Sequence, residues 1–254
     1  MSLEKIRAMK GYQAITALTA YDCNIAKLLD EAGVDIIIVG DSLGNVVLGC
    51  ETTREVTMQD MVRHTGAVRR GAVTSFIVAD LPFQADASPE QALENSHLLI
   101  DAGADAVKIE GKPEIAKVIA ANRIPVMGHV GLLPQTAEEF KVQGKDRVAA
   151  EKIVQEAKAL EKAGCFAIVL EAIPASLAST ITSLINIPTI GIGAGPYCDG
   201  QVLVINDVLG MYEGHTPKFA KRYAALNEDI RAAVKNYIKE VKTGQFPGDQ
   251  HSYR

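Results

Sequence analysis

The chain has 254 residues, 48% of them hydrophobic and 22% charged, which is enough to bury one large core and too apolar for extended disorder. A formal net charge of −5 argues against a general nucleic-acid binder, which presents a basic face. No stretch is apolar for long enough to cross a membrane, and the opening MSLEKIRAMKGYQAI lacks the hydrophobic run of a secretion signal, so a soluble, cytoplasmic protein is expected.

Short runs rich in β-branched residues alternate with longer stretches of helical spacing. In chain order the first strands expected are AITALTA (14–20), DIIIVG (35–40) and SFIVADL (75–81). Ser88-Pro89-Glu90 then opens a helix, a capping serine followed by proline at the first helical position. DAVKIEG (105–111) and IPVMGHV (124–130) follow as strands, and Lys145 to Ala163 is a helix ending at Gly164. FAIVLEA (166–172), IPTIGIGAG (187–195) and QVLVIND (201–207) complete eight strands, and Lys218 to Lys242 reads as a long terminal helix or helix pair.

EAGVDIIIVG, DAGADAVKIEG and KAGCFAIVLEA share one form: a helix stops at Ala-Gly and a strand begins after a short gap. One joint used three times, with eight strands, favours a closed (β/α)8 TIM barrel, a single domain over 1–254 with a C-terminal helical extension. An open doubly wound sheet is the alternative, but it usually carries a Gly-rich dinucleotide turn after its first strand, and none follows AITALTA.

Ionisable residues gather at the C-terminal ends of the apolar runs. Asp41 and Ser42 follow IIIVG, and Asp80 follows FIVA. Lys108 and Glu110, two apart, project to one face. His129 closes PVMGH, and Glu171 follows AIVL. In a βα barrel these ends converge on one mouth, where active sites are found. Charges beside apolar strands are costly unless paired or metal-bound. Each taken singly could be a strand cap or a buried ion pair; a run of successive strands carrying them points to a site. Asp41, Asp80 and Glu110 form an all-oxygen set without cysteine, suited to Mg²⁺ rather than zinc. A 2-oxo acid could chelate such an ion through its carboxylate and keto oxygens, with Lys108 offsetting its charge.

The segments TAYD (19–22), VGDSLG (39–44), HTGAVRRGA (64–72), ADLPF (79–83), VKIEG (107–111), GHVGL (128–132), LEAIP (170–174), IPTIGIGAG (187–195) and PKFAK (217–221), with the tail FPGDQHSYR, closely resemble the ketopantoate hydroxymethyltransferases. The resemblance runs through nearly the whole chain in order and spacing. It implies transfer of a hydroxymethyl group from 5,10-methylenetetrahydrofolate to 3-methyl-2-oxobutanoate through a Mg²⁺-chelated enolate, giving 2-dehydropantoate for pantothenate and coenzyme A biosynthesis. It implies Asp41, Asp80 and Glu110 as metal ligands, Asp41, Ser42, Asp80 and Lys108 as oxo-acid contacts, and Glu171 as proton acceptor. It also implies a homo-oligomer, often a decamer built from pentamers. The residues themselves leave open whether Glu171 or His129 is the base. A carboxylate at a partly apolar strand end, as between Leu170 and Ala172, suits that work. His129 could itself take the proton, or only orient a ligand or carboxylate.

One segment departs from the family. AEEFKVQGK replaces a Gly-Gly stretch, and Leu133 stands where a hydroxyl residue is common. This loop is expected to cover the mouth, so the departure bears on the lid geometry and pterin contacts that the resemblance would otherwise imply. Magnesium barrel enzymes like isocitrate lyase and phosphoenolpyruvate mutase are the competing reading, but the KKCGH-like segment of those lyases is absent. A catalytically dead assembly subunit is a third reading, opposed by the intact set of ionisable residues.

The remaining features read as structural. GIGAG (191–195) is a tight strand-end turn rather than a phosphate loop. Arg69-Arg70 is a solvated pair at a helix end. Cys23, Cys50, Cys165 and Cys198 are buried thiols. His64, His97, His215 and His251 lack a ligand partner at metal spacing. Ser42 could cap a helix start. Tyr21-Asp22 either lines the mouth or supplies a helix cap.

Overall fold

A computed structural model describes residues 1–211 and 217–253. The chain divides into two compact units, Met1–Val204 and Ile205–Arg254. His215 and the terminal Arg254 lie outside the described residues.

Eight parallel strands close the first unit into a barrel: β1 (Ile15–Thr19), β2 (Ile36–Val39), β3 (Phe76–Asp80), β4 (Ala106–Lys108), β5 (Val126–Gly131), β6 (Ala167–Glu171), β7 (Thr189–Ile192) and β8 (Gly200–Leu203). Each pairs with the next, and β8 returns to β1, with Ile15 opposite Gly200. The (β/α)8 TIM barrel expected from the sequence is the fold observed. β2 and β3 are buried on both faces, because one face fills the barrel and the other meets the outer helices.

The helices of this unit are α1 (Leu3–Ala8), α2 (Cys23–Glu31), α3 (Met58–Gly71), α4 (Pro89–Asp101), α5 (Pro113–Ala121), α6 (Arg147–Lys162) and α7 (Ala175–Leu184). Their starts are chemically marked. Asp22, Thr57, Ser88 and Asp146 each accept a backbone N–H of the following turn, and Pro89 stands at the first position of α4. The three Ala-Gly joints act alike. Ala32, Ala102 and Ala163 cap α2, α4 and α6, and Gly33, Gly103 and Gly164 take φ of 83°, 111° and 99°, where a side chain would be strained.

Inside the barrel, Ile15, Ala17, Ile36, Ile38, Phe76, Val78, Ala106, Met127, Phe166, Ala167, Val169, Ile190 and Val202 form one core. Phe76 and Phe166 meet edge-on at 5.6 Å, worth about 1 kcal/mol beyond the area they bury. Ile6 and Met9 join this core from α1 and its C-cap, meeting the first residues of the strands and so closing the N-terminal end of the barrel.

The second unit contains α8 (Ile205–Val208) and α9 (Leu226–Lys242). Two expectations are corrected here. The eighth strand stops at Leu203 instead of running to Asp207, and Ile205 already starts a helix. The terminal helix starts at Leu226 instead of Lys218. The N–H groups of Tyr223 and Leu226 bond the carbonyls of Val208 and Leu209, so this backbone finds its partners in α8 and its exit rather than in its own turn. Two surface readings also change. Only Cys165 is fully buried, while Cys23, Cys50 and Cys198 are half-buried and all four thiols are free. Arg69 is not solvated: it pairs with Asp105 at 2.6 Å and donates to the Gly103 carbonyl, and only Arg70 is exposed. Among the described residues no helix is long and apolar enough to cross a membrane.

Candidate active site

Strand parity builds the site. Phe76 and Val78 point into the barrel, so Asp80 does too; Ala106 sets the same row for Lys108, Met127 for His129, and Ala167 and Val169 for Glu171. The lower positions of each row are apolar and fill the barrel. The last ones are ionisable and meet at its C-terminal end. Parallel register brings them side by side: Asp80 is level with Lys108, and Gly131 with Glu171. Glu110 extends the Lys108 row beyond β4. Asp41 and Ser42 come from the turn after β2, which runs into a single π-helical turn, Gly44–Leu48.

Lys108 Nζ donates to Asp80 Oδ2 at 2.8 Å, and the Asp41 N–H donates to the same oxygen at 3.3 Å. Asp80 Oδ1 is buried and has no partner. Tyr21 Oη and Ser42 Oγ share a hydrogen bond of 2.8 Å. Burial raises the pKa of Tyr21, so its hydroxyl keeps its proton beside Ser42. Asp22 next to it caps α2, so the Tyr21-Asp22 pair serves both purposes considered for it. His129 lies between two acids, with Nε2 3.1 Å from Glu171 Oε2 and Nδ1 3.7 Å from Glu110 Oε1. Neither contact is aligned as a hydrogen bond, and both ring nitrogens are without one.

These groups are nearly dry. Asp41, Asp80, Lys108, Glu110 and His129 are all buried, and the Glu171 side chain is 16% exposed. Among the described residues of this cluster, four carboxylates face one ammonium. Burial, then the nearby Asp80, pushes the Asp41 carboxyl well above the usual range. Burial takes Glu110 up to about 8. Burial works against the Lys108 ammonium, but Asp80, Asp41 and Glu110 outweigh it, and its pKa is raised. Burial lowers His129, which favours the neutral imidazole.

Such an excess of buried negative charge is relieved by protons or by a cation. A divalent ion fits the donor set: the side-chain ligands are all oxygen, and Asp80 Oδ1 is left open. The shell is not preassembled. Among the described residues no three His, Cys, Asp or Glu side chains converge closely enough to hold an ion as they stand. Gln135 engages two of these carboxylates. Its side-chain amide donates to Asp41 Oδ2 at 2.8 Å and to the Leu81 carbonyl at 2.9 Å, and its N–H donates to Glu110 Oε2 at 3.1 Å.

Asp41, Ser42, Asp80, Lys108, Glu110, His129 and Glu171 thus all reach the C-terminal end of the barrel. Gln135 was missed, because a lone glutamine after Leu133-Pro134 carries no motif and its role depends on the path of the β5–α6 loop. The bystanders separate cleanly. His64 Nδ1 meets the Tyr21 carbonyl, His97 is exposed on α4, and His251 packs on Phe246. Ser42 makes no side-chain cap to the π-turn. Gly193 and Gly195 take positive φ in a turn after β7, as expected for GIGAG.

A closed barrel with buried acids and one lysine at the C-terminal strand ends defines the class of α/β-barrel enzymes with strand-end chemistry. Solved structures agree on the fold. A phosphonopyruvate hydrolase complexed with oxalate and Mg²⁺ superposes with a TM-score of 0.65 at 14% identity, over 99% of this chain and 93% of that one. A 2,3-dimethylmalate lyase of the phosphoenolpyruvate mutase/isocitrate lyase superfamily gives 0.63 at 17%, over 99% and 91%. The family model for ketopantoate hydroxymethyltransferase matches residues 1–249, and the chain belongs to that family. Proteins named 3-methyl-2-oxobutanoate hydroxymethyltransferase are 56% identical in Syntrophus aciditrophicus (98% of this chain, 94% of that protein) and 52% identical in Caldicellulosiruptor bescii (97% and 96%). The names of the family and its members support a transferase enzyme.

Proposed function

We propose that the chain transfers a hydroxymethyl group from 5,10-methylenetetrahydrofolate to 3-methyl-2-oxobutanoate, forming 2-dehydropantoate at the start of pantothenate and coenzyme A biosynthesis. The observation that carries the reading is the cluster at the barrel mouth: four carboxylates, one lysine and an open Asp80 oxygen, in a chain of this family.

Asp41 and Asp80, with Glu110, would hold Mg²⁺. Magnesium needs only one or two protein carboxylates and keeps places for water and substrate oxygens, so a shell that closes on binding suits it. Bound there, it would polarise the keto group of a chelated 2-oxo acid and acidify its C3–H. Lys108 offsets the negative charge of the oxo acid from a buried position, and the hydroxyl of Ser42, oriented by Tyr21, donates to it.

Glu171 takes the C3 proton. Its side chain is the accessible member of its pair, at 16% against 2% for His129. Neutral His129 lies beside Glu171, standing between that base and Glu110. Either way a base of this kind contributes about 10²–10⁴-fold to the rate. Beside the end of β5, the loop bearing Glu138, Lys141 and Gln143 borders a pocket of about 400 Å³, whose polar rim suits the amide edge of a pterin.

The exposed side chains of Ile230, Val234, Ile238 and Val241 form one face of α9, which supports self-association, in this reading a homodecamer built from pentamers. The reading places the enzyme in the cytoplasm.

The test is a steady-state assay of the purified chain with 3-methyl-2-oxobutanoate and Mg²⁺. Oxo-acid consumption that depends on methylenetetrahydrofolate and yields 2-dehydropantoate supports the proposal. Cleavage of a C4–C6 acid with no folate requirement would transfer the chain to lyase chemistry.

A further inference from the structure

The loop between β5 and α6 is buried at Gln135, exposed beyond it, and tied down again where the Gln143 N–H donates to the Ala172 carbonyl. Gln135 is 4% exposed, while Glu138 to Val142 are exposed and Phe140 stands 73% in solvent. At the buried point one residue reaches three strand ends. The Gln135 side chain bonds Asp41 after β2 and the Leu81 carbonyl after β3, and its N–H bonds Glu110 after β4. Arg54 grips the same point from the other side. It donates to the carbonyls of Gln135 and Ala137 at 2.8 and 3.0 Å, and its guanidinium lies 5.6 Å from the Phe83 ring.

A buried amide that donates both to a carboxylate and to a backbone carbonyl has one way to sit. It therefore fixes which Asp41 oxygen is engaged and which is free, as the N–H does for Glu110. We propose that Gln135 is a positioning residue that latches the β5–α6 loop to Asp41 and Glu110, so that loop closure and divalent-ion binding are one coupled event. The coupling to Mg²⁺ rests on the metal reading above; the latch itself rests only on the hydrogen bonds.

Gln135→Met keeps the volume and the backbone N–H but removes the amide donor. Gln135→Asn, one methylene shorter, cannot span Asp41 and Leu81 and serves as a second variant if the first folds poorly. Trypsin cleavage at Lys141 reports the loop in the full-length protein, and calorimetric titration with Mg²⁺ reports the ion. In the wild type Mg²⁺ slows cleavage. Both variants are cut faster without metal, Mg²⁺ no longer protects them, and they bind it about tenfold or more weakly, the order of a lost hydrogen bond to a charged group. Wild-type cleavage in the variants overturns the latch. Faster cleavage with unchanged Mg²⁺ affinity overturns the coupling. A wild type that takes up no Mg²⁺ overturns the coupling through the metal reading, while the cleavage rates still decide the latch.

Discussion

Glu171 and His129 face each other across 3.1 Å, and the first is the more exposed of the two. A buried imidazole with a lowered pKa is a poor reservoir for a proton, whereas a carboxylate partly open to the mouth can reach a substrate carbon. Glu171→Gln is expected to reduce turnover by about 10²–10⁴-fold with little change in oxo-acid binding; steady-state kinetics and a direct titration check both halves. Asp41 and Glu110 predict a pH dependence of a definite sign. Their folded pKa values lie above the unfolded ones, so they favour the metal-free fold at low pH, and that contribution is lost as pH rises through about 8. Mg²⁺ displaces the same protons, so the rise in Tm that it produces should be larger at about pH 8.5 than at about pH 6. Thermal melts with and without the ion measure it, and an equal rise at both values would contradict the assignment.

At the level of elements, most of the site exists because β3, β4, β5 and β6 continue their own alternation past the apolar core. That is why so much was legible: Asp80, Lys108, Glu110 and Glu171 sit at fixed steps from apolar residues whose inward direction the sequence already implies. The three Ala-Gly joints were legible for the same local reason. Gln135 was not, because its partners come from three other strands. Nor was the late start of α9, since Tyr223 and Leu226 spend their N–H groups on residues that the local pattern does not reveal. Gly131 shows how tightly β5 and β6 are joined at their C-terminal ends. It takes φ of 98°, and an added Cβ would collide with the Glu171 carbonyl oxygen and crowd Ile173. Gly131→Ala should therefore cost about 1–3 kcal/mol of stability and displace Glu171. Denaturant melts read the first effect and a fall in kcat the second; a variant as stable and active as wild type would argue against this joint.

Across the barrel unit, stability and chemistry occupy opposite ends. The N-terminal end is closed by Ile6, fully buried among the first residues of the strands, while the ionisable groups stand at the other end. Ile6→Ala should cost about 2–5 kcal/mol while leaving KM and kcat near wild type at temperatures where the variant is folded. Melting curves paired with kinetics test this; a large kinetic change in a folded variant would show that the two ends are not independent. The barrel was legible from the sequence because strands such as β2 and β3, buried on both faces, read as apolar runs, and one helix-to-strand joint recurs three times between them. The central claim is that Glu171 removes a proton from an oxo acid acidified by a divalent ion, and the most direct measurement omits the folate altogether. With 3-methyl-2-oxobutanoate in D₂O, nuclear magnetic resonance follows exchange at C3. The account predicts rapid exchange with wild type and Mg²⁺, and almost none without the ion or with Glu171→Gln. Exchange at wild-type rate in either case would contradict it.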